Sequence, residues 1–196
     1  MRAALQIALT GLELRTPERV VDLCARHWEL VLAWNERVNL TAISDNVEAA
    51  WLHYRDSLAA LPLLTQGPVL DVGSGAGYPG IPLAIALPEL QFSLLEPRRK
   101  RASFLENAAA RLGLNNVRVL NGAIEDAPPE LFAAAVTRAT FSSLLDLDKC
   151  LGWIKPGGKV VAYRSEGVPL TGSMLTPYKV REETRLLEVF LRELEG

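Results

Sequence analysis

Apolar positions fall into two rhythms along this chain. Up to about residue 65 they recur at three- and four-residue steps, as in Val20, Cys24, Trp28, Val31 and Val38. That is the spacing of a helix with one buried face. Thr16-Pro17-Glu18 marks its start: a hydroxyl cap, then a proline in the first turn, where its missing N–H does no harm. NVEAAWLHYRDSLAALPLL predicts a second helix, entered through Asp45 or Asn46 and stopped by Pro62. ERVNLTAI, between them, ends the first helix. After Gly67 the rhythm shortens. PVLDVG, FSLLE, VRVLN, AAVTRA and KVVAYR are short branched and apolar runs that read as strands. GIPLAIAL, RKRASFLENAAARLG and SSLLDLDKCLGWI separate them as helices, the second ending at Gly113 in a left-handed cap and the third stopping before Pro156-Gly157-Gly158.

Strands that alternate with helices pair in parallel through crossovers, so the pattern predicts an α/β fold with a doubly wound, mostly parallel sheet. Residues 1–65 are expected as an N-terminal helical extension packed on that sheet, and residues 66–196 as the ligand-binding domain. The tail YKVREETRLLEVFLREL suits a closing strand pair better than a terminal helix.

Composition narrows the function classes. The 196 residues are 49% hydrophobic and 22% charged, an ordinary globular balance. With 21 basic and 23 acidic side chains, the net charge of −2 predicts no global attraction to nucleic acid or membrane, and a local patch must carry any such contact. Cys24 and Cys150 match no redox or zinc spacing and are expected as buried apolar residues in a reducing cytosol. His27 and His53 are the only histidines, too few for a histidine-rich metal site. No signal peptide and no bilayer-spanning run is expected.

The chemistry concentrates in LDVGSGAGYPGIPLAIA, where Gly73, Gly75 and Gly77 follow the first strand. Ligands of open parallel sheets bind beyond the carboxyl ends of the strands, and glycines there let backbone amides approach a ligand closely. Three glycines exceed the needs of a turn. Gly75-x-Gly77-x-x-Gly80 also fits a dinucleotide fingerprint. Against that, the glycine run begins earlier, at Gly73. Asp71 would repel a pyrophosphate, and Tyr78-Pro79 stands where a helix should offer free amides. A P-loop is excluded because no Gly-Lys-Ser/Thr follows. An acid before GxGxG suits a cationic ligand, and S-adenosylmethionine carries a sulfonium and an ammonium without phosphate. Glu96, ending the second strand, can accept both ribose hydroxyls, although nicotinamide enzymes place an acid there too. Glu125 falls after the third strand, where an adenine would lie, and KPGGKVVAY resembles the late turn and strand of a class I methyltransferase sheet.

NLTAI, WLHYRDSL, DVGSGAGYPGIPLAI, LLEPRRKRASFLE and TRATFSSL, in order from about Trp34 to Ser143, resemble the motifs of the RsmG (GidB) family. That resemblance implies a bacterial small-subunit rRNA guanine-N7 methyltransferase of class I, with an N-terminal helical extension, acting on the 530 loop of 16S rRNA. It implies S-adenosylmethionine as donor and S-adenosylhomocysteine as product. It further implies that Gly73, Tyr78, Ile124, Glu125 and Arg138 line the cofactor pocket. Asp71, Gly75, Gly77 and Glu96 follow from the general class I pattern. The chain departs from the family at Tyr78, Glu96, Ala123 and Arg164, where phenylalanine or leucine, aspartate, arginine and lysine are usual.

Guanine N7 has a lone pair and no proton, so attack on an activated methyl needs no general base. Catalysis would rest on alignment and electrostatics, with Arg138 as a positioning group. Arg98, Arg99, Lys100 and Arg101 open a helix, where cations oppose the macrodipole. Phosphate oxygens would relieve that conflict, so the run is expected to grip RNA backbone. Asn39, Thr41, His53 and Asp56 form a polar set. His53 and Asp56, three apart on a helix, are expected to share a face, either as a structural pair anchoring the helical part or in contact with substrate. The expected partner is 16S rRNA or the small ribosomal subunit, met by a cytoplasmic monomer without metal. Two other readings stand beside this one: an NAD-dependent oxidoreductase, and a cofactor-binding, RNA-associated protein without turnover.

Overall fold

Val69, Leu70, Asp71 and Val72 form the central strand, and all four are buried, as expected where both sheet faces are covered. The computed structural model describes residues 1–126, 130–138, 144–164 and 172–193. Around β1 (Val69–Val72) lie β2 (Phe92–Leu95), β3 (Val117–Leu120), β4 (Phe132–Arg138), β5 (Ile154–Arg164), β6 (Met174–Val180) and β7 (Glu183–Leu191). They form one sheet of order β3-β2-β1-β4-β5-β7-β6. The pairs among β1 to β5 are parallel, and β7 runs antiparallel between β5 and β6. The doubly wound sheet and the strand pair in the tail are both as the sequence predicts. Strand order reverses between β1 and β4, which places the ligand crevice of such a sheet at their carboxyl ends.

Helices cover both faces. α1 (Arg2–Ala8), α2 (Pro17–Val38), α3 (Asn46–Ala49), α4 (Gly80–Ala86) and α5 (Arg99–Leu112) lie toward one core, and α6 (Leu144–Gly152) toward the other. Alternation along β1 divides its side chains accordingly: Val69 joins the larger core, Leu70 and Val72 the smaller. Leu5, Val20, Cys24, Trp28 and Val31 of the N-terminal helices share the larger core with Val136 and Val161 of the sheet. The first helical part therefore buries its apolar stripe on the sheet's helices and strands. Cys24 and Cys150 are free and buried.

Several local expectations need correction. α2 begins at Pro17 as expected, but the Thr16 hydroxyl makes no capping bond, because its backbone does not adopt the extended cap geometry (φ −136°, ψ 73°). The second predicted helix is three pieces. It starts as an α-turn capped by Asp45, whose Oδ1 accepts from the amides of Val47 and Glu48 at 2.9 and 2.8 Å. It then widens into a π-turn over Ala50–Arg55 and tightens into a 3₁₀ helix over Leu58–Leu63. Pro62 lies inside that last piece instead of stopping it. The π-turn changes the angular step between residues, so His53 and Asp56 do not pair with each other. α6 ends at Gly152, and the next strand begins at Ile154, earlier than expected, with Pro156-Gly157-Gly158 inside a bulge opposite β4. A Cβ on Gly158 would approach the Ala133 carbonyl to 2.6 Å, so this bulge needs glycine there. The predicted start of this helix at Ser142-Ser143 lies outside the described residues, as does the end of the TRATFSSL motif. α5 closes at Gly113 with φ +66°, the predicted left-handed cap.

Candidate functional site

The loop from Gly73 to Pro79 joins β1 to α4 at the crevice, and its backbone is tied from three sides. The amides of Gly73 and Ser74 donate to Leu95 O at 2.9 and 3.1 Å. The Gly75 amide donates to Glu96 Oε2 at 2.9 Å, and the Gly80 amide to Asp71 Oδ2 at 3.0 Å. Gly73, Gly75 and Gly77 have φ of 74°, 56° and 90°, a region that excludes most side chains. Gly80 is required for space: a Cβ there would lie 2.5 Å from Asp71 Oδ2 and clash with Leu94. All three glycines predicted from sequence thus shape one cradle.

Asp71 sits beneath that cradle, fully buried. One oxygen serves the Gly80 amide, while Oδ1 is buried with no hydrogen bond among the described residues, the Ser74 hydroxyl being near enough to favour the charged form. Burial pushes the carboxyl up from the ordinary range to about 7, only partly offset by its hydrogen bonds, with Glu96 adding to the rise. A buried carboxylate of this kind gains from a cation and loses from a phosphate. Glu96, also buried, accepts from Gly75 through Oε2 and from the Arg98 amide through Oε1, at 2.9 Å each. Two amides use half of the acceptor sites of a carboxylate, which leaves capacity for a pair of hydroxyls.

The basic run lies at the rim of the same cradle. The run opens α5 as predicted, with Arg98 as its N-cap, and Arg98, Arg99 and Lys100 are exposed with no acidic partner among the described residues. Arg101 is half-buried, and its Nη2 donates to the carbonyl of Asn39, the left-handed cap of α2, at 3.0 Å. Its Nη1 lies 3.9 Å from where a Cβ on Gly75 would stand. Of the run, therefore, three cations face solvent and one ties α5 to the end of α2.

Tyr78 is buried, and its side chain enters a seam between the glycine loop and the helical extension. Its ring stacks on His53 with centroids 4.3 Å apart, and lies edge-on to His27 and Tyr54 at 5.2 and 5.4 Å. Tyr78 OH donates to Tyr54 OH at 3.1 Å, and Tyr54 OH meets His27 Nδ1 at 3.0 Å. His53 Nε2 bonds Thr41 Oγ1 at 2.9 Å, so two of the predicted polar set do meet. Burial lowers both imidazoles to about 3, and for His53 the nearby Arg138 charge adds to this. Both are neutral at physiological pH. His27 and Tyr54 escaped the sequence reading because each looks like one more apolar-face residue on a helix.

Arg138 ends β4 beside this seam, its guanidinium carbon 5.3 Å from the Tyr78 ring centroid. Its Nη1 donates to Leu52 O at 3.0 Å and to Asp56 Oδ2 at 3.1 Å. Asp56 Oδ1 accepts from Tyr178 OH at 2.8 Å and from Arg185 Nη1 at 3.0 Å. Asp56 is buried, so these are contacts of a desolvated carboxylate. Ile124 and Glu125 stand apart, in a turn after β3. Asp126 Oδ2 accepts from the Ala123 amide at 2.8 Å, Ile124 packs on the smaller core, and exposed Glu125 pairs with Lys149 at 2.8 Å. The Lys149 hydrogen bond holds the Glu125 carboxyl below its ordinary value. Among the described residues, no cluster of three or more His, Cys, Asp or Glu could hold a metal, and no helix is long and apolar enough to cross a membrane.

Residues 22–169 match the GidB family, described as rRNA small subunit methyltransferase G. The match begins before the motifs that carry the resemblance in sequence. A ribosomal RNA small subunit methyltransferase G from Chromobacterium violaceum is 40% identical over 148 residues, covering 75% of this chain and 71% of that protein. Its counterpart from Alkaliphilus oremlandii is 34% identical over 162 residues, covering 79% and 68%. Among solved structures, a SAM-dependent methyltransferase from Aquifex aeolicus superposes with a TM-score of 0.57 over 74% of this chain and 93% of that one. At 16% identity, this speaks for the fold.

Proposed function

The chain belongs to the GidB family of small-subunit rRNA methyltransferases, and from that premise we propose that it methylates N7 of one guanine in the 530 loop of 16S rRNA. S-adenosylmethionine is the donor. The observation that carries the cofactor reading is Asp71: a buried carboxylate under a glycine cradle, with one oxygen that makes no hydrogen bond among the described residues. A cationic nucleoside supplies what that oxygen lacks, whereas a diphosphate would be repelled, and membership in a methyltransferase family also disfavours a nicotinamide enzyme.

The residues fit the donor. Gly73, Gly75 and Gly77 leave room for its close approach, Asp71 would answer its positive charge, and Glu96 its ribose hydroxyls. Ile124 and Glu125 would flank the adenine, while Tyr78 and Arg138 close the inner side of the pocket. The donor brings an electrophilic methyl group on a sulfonium. The target nitrogen brings its own lone pair, so no residue has to remove a proton. Neutral His27 and His53 suit that economy, because both serve packing and hydrogen bonding. What the chain contributes is alignment: a rigid loop on one side and a fixed guanidinium on the other. Arg98, Arg99 and Lys100 would take RNA phosphates at the pocket rim, with Arg101 holding their helix to α2. We place this activity in the cytoplasm, on a monomer.

The test is direct. The protein is incubated with labelled donor and, separately, naked rRNA, small subunits and intact ribosomes, and the methylated position is mapped by mass spectrometry. One methyl on N7 of a single 530-loop guanine is the expected result. Calorimetric uptake of NAD without uptake of S-adenosylmethionine would overturn the reading.

A further inference from the structure

One carboxylate holds two arginines that come from different strands of the sheet. Asp56 closes the π-turn, Arg138 ends β4, and Arg185 lies on β7, where it pairs across to Tyr178 of β6. Cross-strand partners put both side chains on the same face. Both reach Asp56 Oδ1, at 3.0 and 2.8 Å, while Arg138 takes Oδ2 at 3.1 Å. Two polar contacts from the C-terminal hairpin and one from Arg138 thus meet on one buried side chain at the mouth of the crevice. Tyr163 adds a fourth tie to the same corner, donating to Ser57 O.

Such wiring exceeds what anchoring requires. β6 and β7 already pair along their whole length, and Leu187 and Val189 bury against the larger core. Two guanidiniums and a phenol converge on one desolvated carboxylate, and Arg185 divides its charge between Asp56 and the exposed Glu183, at 3.0 Å each. A hydrophobic contact would pin the hairpin without that expense in desolvation. What the polar arrangement uniquely provides is direction: Asp56 fixes Arg138 on the side turned toward Leu52, which sets where the guanidinium stands over Tyr78.

We propose that Asp56 is a positioning residue for methyl transfer, and that Tyr178 and Arg185 of the C-terminal hairpin set the orientation of Arg138 through it. The proposal rests on the reading that Arg138 borders the donor pocket. Among the described residues neither side chain hydrogen-bonds the glycine loop, so their polar effect passes through Asp56.

The experiment is a double-mutant cycle on the full chain, read by calorimetric titration with S-adenosylmethionine and by the ¹H–¹⁵Nε resonance of Arg138. Tyr178→Phe removes one hydroxyl and leaves the hairpin's apolar packing in place. It is expected to weaken donor binding about threefold to tenfold, and to shift the Arg138 resonance. In an Arg138→Gln background the same change should alter donor affinity by less than about twofold, since no guanidinium remains to be misdirected. Arg185→Lys keeps a cation on Asp56 and is expected to retain more affinity than Arg185→Gln. Equal losses from Tyr178→Phe in both backgrounds would mean a merely structural role and overturn the proposal, as would an unmoved Arg138 resonance. Should the native chain ignore S-adenosylmethionine altogether, it is the functional reading that falls, and the resonance still decides the positioning claim.

Discussion

Tyr78 and His53 lie face to face, with ring centroids 4.3 Å apart and planes 16° from parallel. One ring belongs to the glycine loop and the other to the π-turn, so this stack is where the helical extension grips the glycine cradle. The grip is two-sided. Asp71 and Glu96 bind the loop's amides from the sheet, while Tyr78, Tyr54 and His27 lock its far end in an aromatic seam. An aromatic pair adds about 0.5–1.5 kcal/mol beyond its buried area. A loop restrained on both flanks loses little freedom when a ligand arrives, which is what alignment-based catalysis requires.

Donor binding should follow the ionisation of Asp71. Its carboxyl titrates at about 7 in the folded chain, and a cationic ligand favours the ionised form. Affinity for S-adenosylmethionine is therefore expected to rise with pH up to about 7 and level off above it, with binding about tenfold weaker at pH 6 than at pH 8. Asp71→Asn keeps an acceptor for the Gly80 amide and should remove that pH dependence. Calorimetry across this range checks it; a flat profile for the native chain would refute the role of Asp71.

Stability should fall on acidification for a different reason. Unfolded imidazoles bind protons near 6.5, whereas His27 and His53 resist until about 3. Below pH 6.5 the unfolded chain thus binds more protons, and the stability these residues confer at neutral pH is progressively lost toward pH 3. Asp71 acts in the opposite sense, because its raised value lets the folded chain hold the extra proton between 3.8 and about 7. Two imidazoles against one carboxylate leave a net loss on the order of 1.4 kcal/mol per pH unit between about pH 6.5 and 5. His53→Gln should bring that slope close to zero while lowering Tm at neutral pH, since it also removes the Tyr78 stack and alters the Thr41 bond. Urea melts at several pH values read both effects.

Periodicity and turn chemistry made the sheet legible. The strands around Asp71, Leu94, Val119 and Val136 stand where short apolar runs lie between helical patterns, and Gly113 ends α5 by the expected rule. The π-turn was not legible, because helix-period patterns do not distinguish a widened turn from a regular one when tertiary packing on Tyr78 stabilises it. That is why His53 and Asp56 suggested a pair yet serve separate partners, Thr41 and Arg138. The glycine cradle announced itself through spacing. Asp56, by contrast, meets Tyr178 and Arg185 across more than a hundred residues of chain, and no local pattern carries such a contact.

Two glycines of the cradle should respond differently to the same methyl group. At Gly80 an added Cβ meets Asp71 Oδ2 at 2.5 Å, in a fully buried setting with no room to yield. Gly80→Ala is expected to destabilise the chain by about 1–3 kcal/mol or more, through overpacking and loss of the amide bond to Asp71. At Gly75 the nearest atoms are 3.8 and 3.9 Å away, and only the left-handed backbone (φ +56°) resists. Gly75→Ala should cost about 1–2 kcal/mol of stability. Its larger effect should be on donor affinity, because the methyl intrudes at the open side of the cradle. Denaturant melts paired with calorimetry separate the two; a Gly75→Ala chain that keeps the native donor affinity would contradict this account of the loop.

The basic run makes the last prediction, and the structure divides its members. Arg98, Arg99 and Lys100 face solvent, but Arg101 is committed to Asn39. Replacing the first three by glutamine removes cations that oppose the α5 macrodipole, so helix stability should hold or improve slightly. RNA affinity should nonetheless fall, and the slope of log K against log salt should become shallower by about 0.7 for each phosphate of single-stranded RNA no longer neutralised. S-adenosylmethionine affinity should stay as in the native chain. Arg101→Gln should act the other way round, loosening the join between α2 and α5 and lowering Tm, with little change in salt slope. Filter binding of a 530-loop RNA across a salt series distinguishes these outcomes. A triple variant with the native slope would show that this face only meets water.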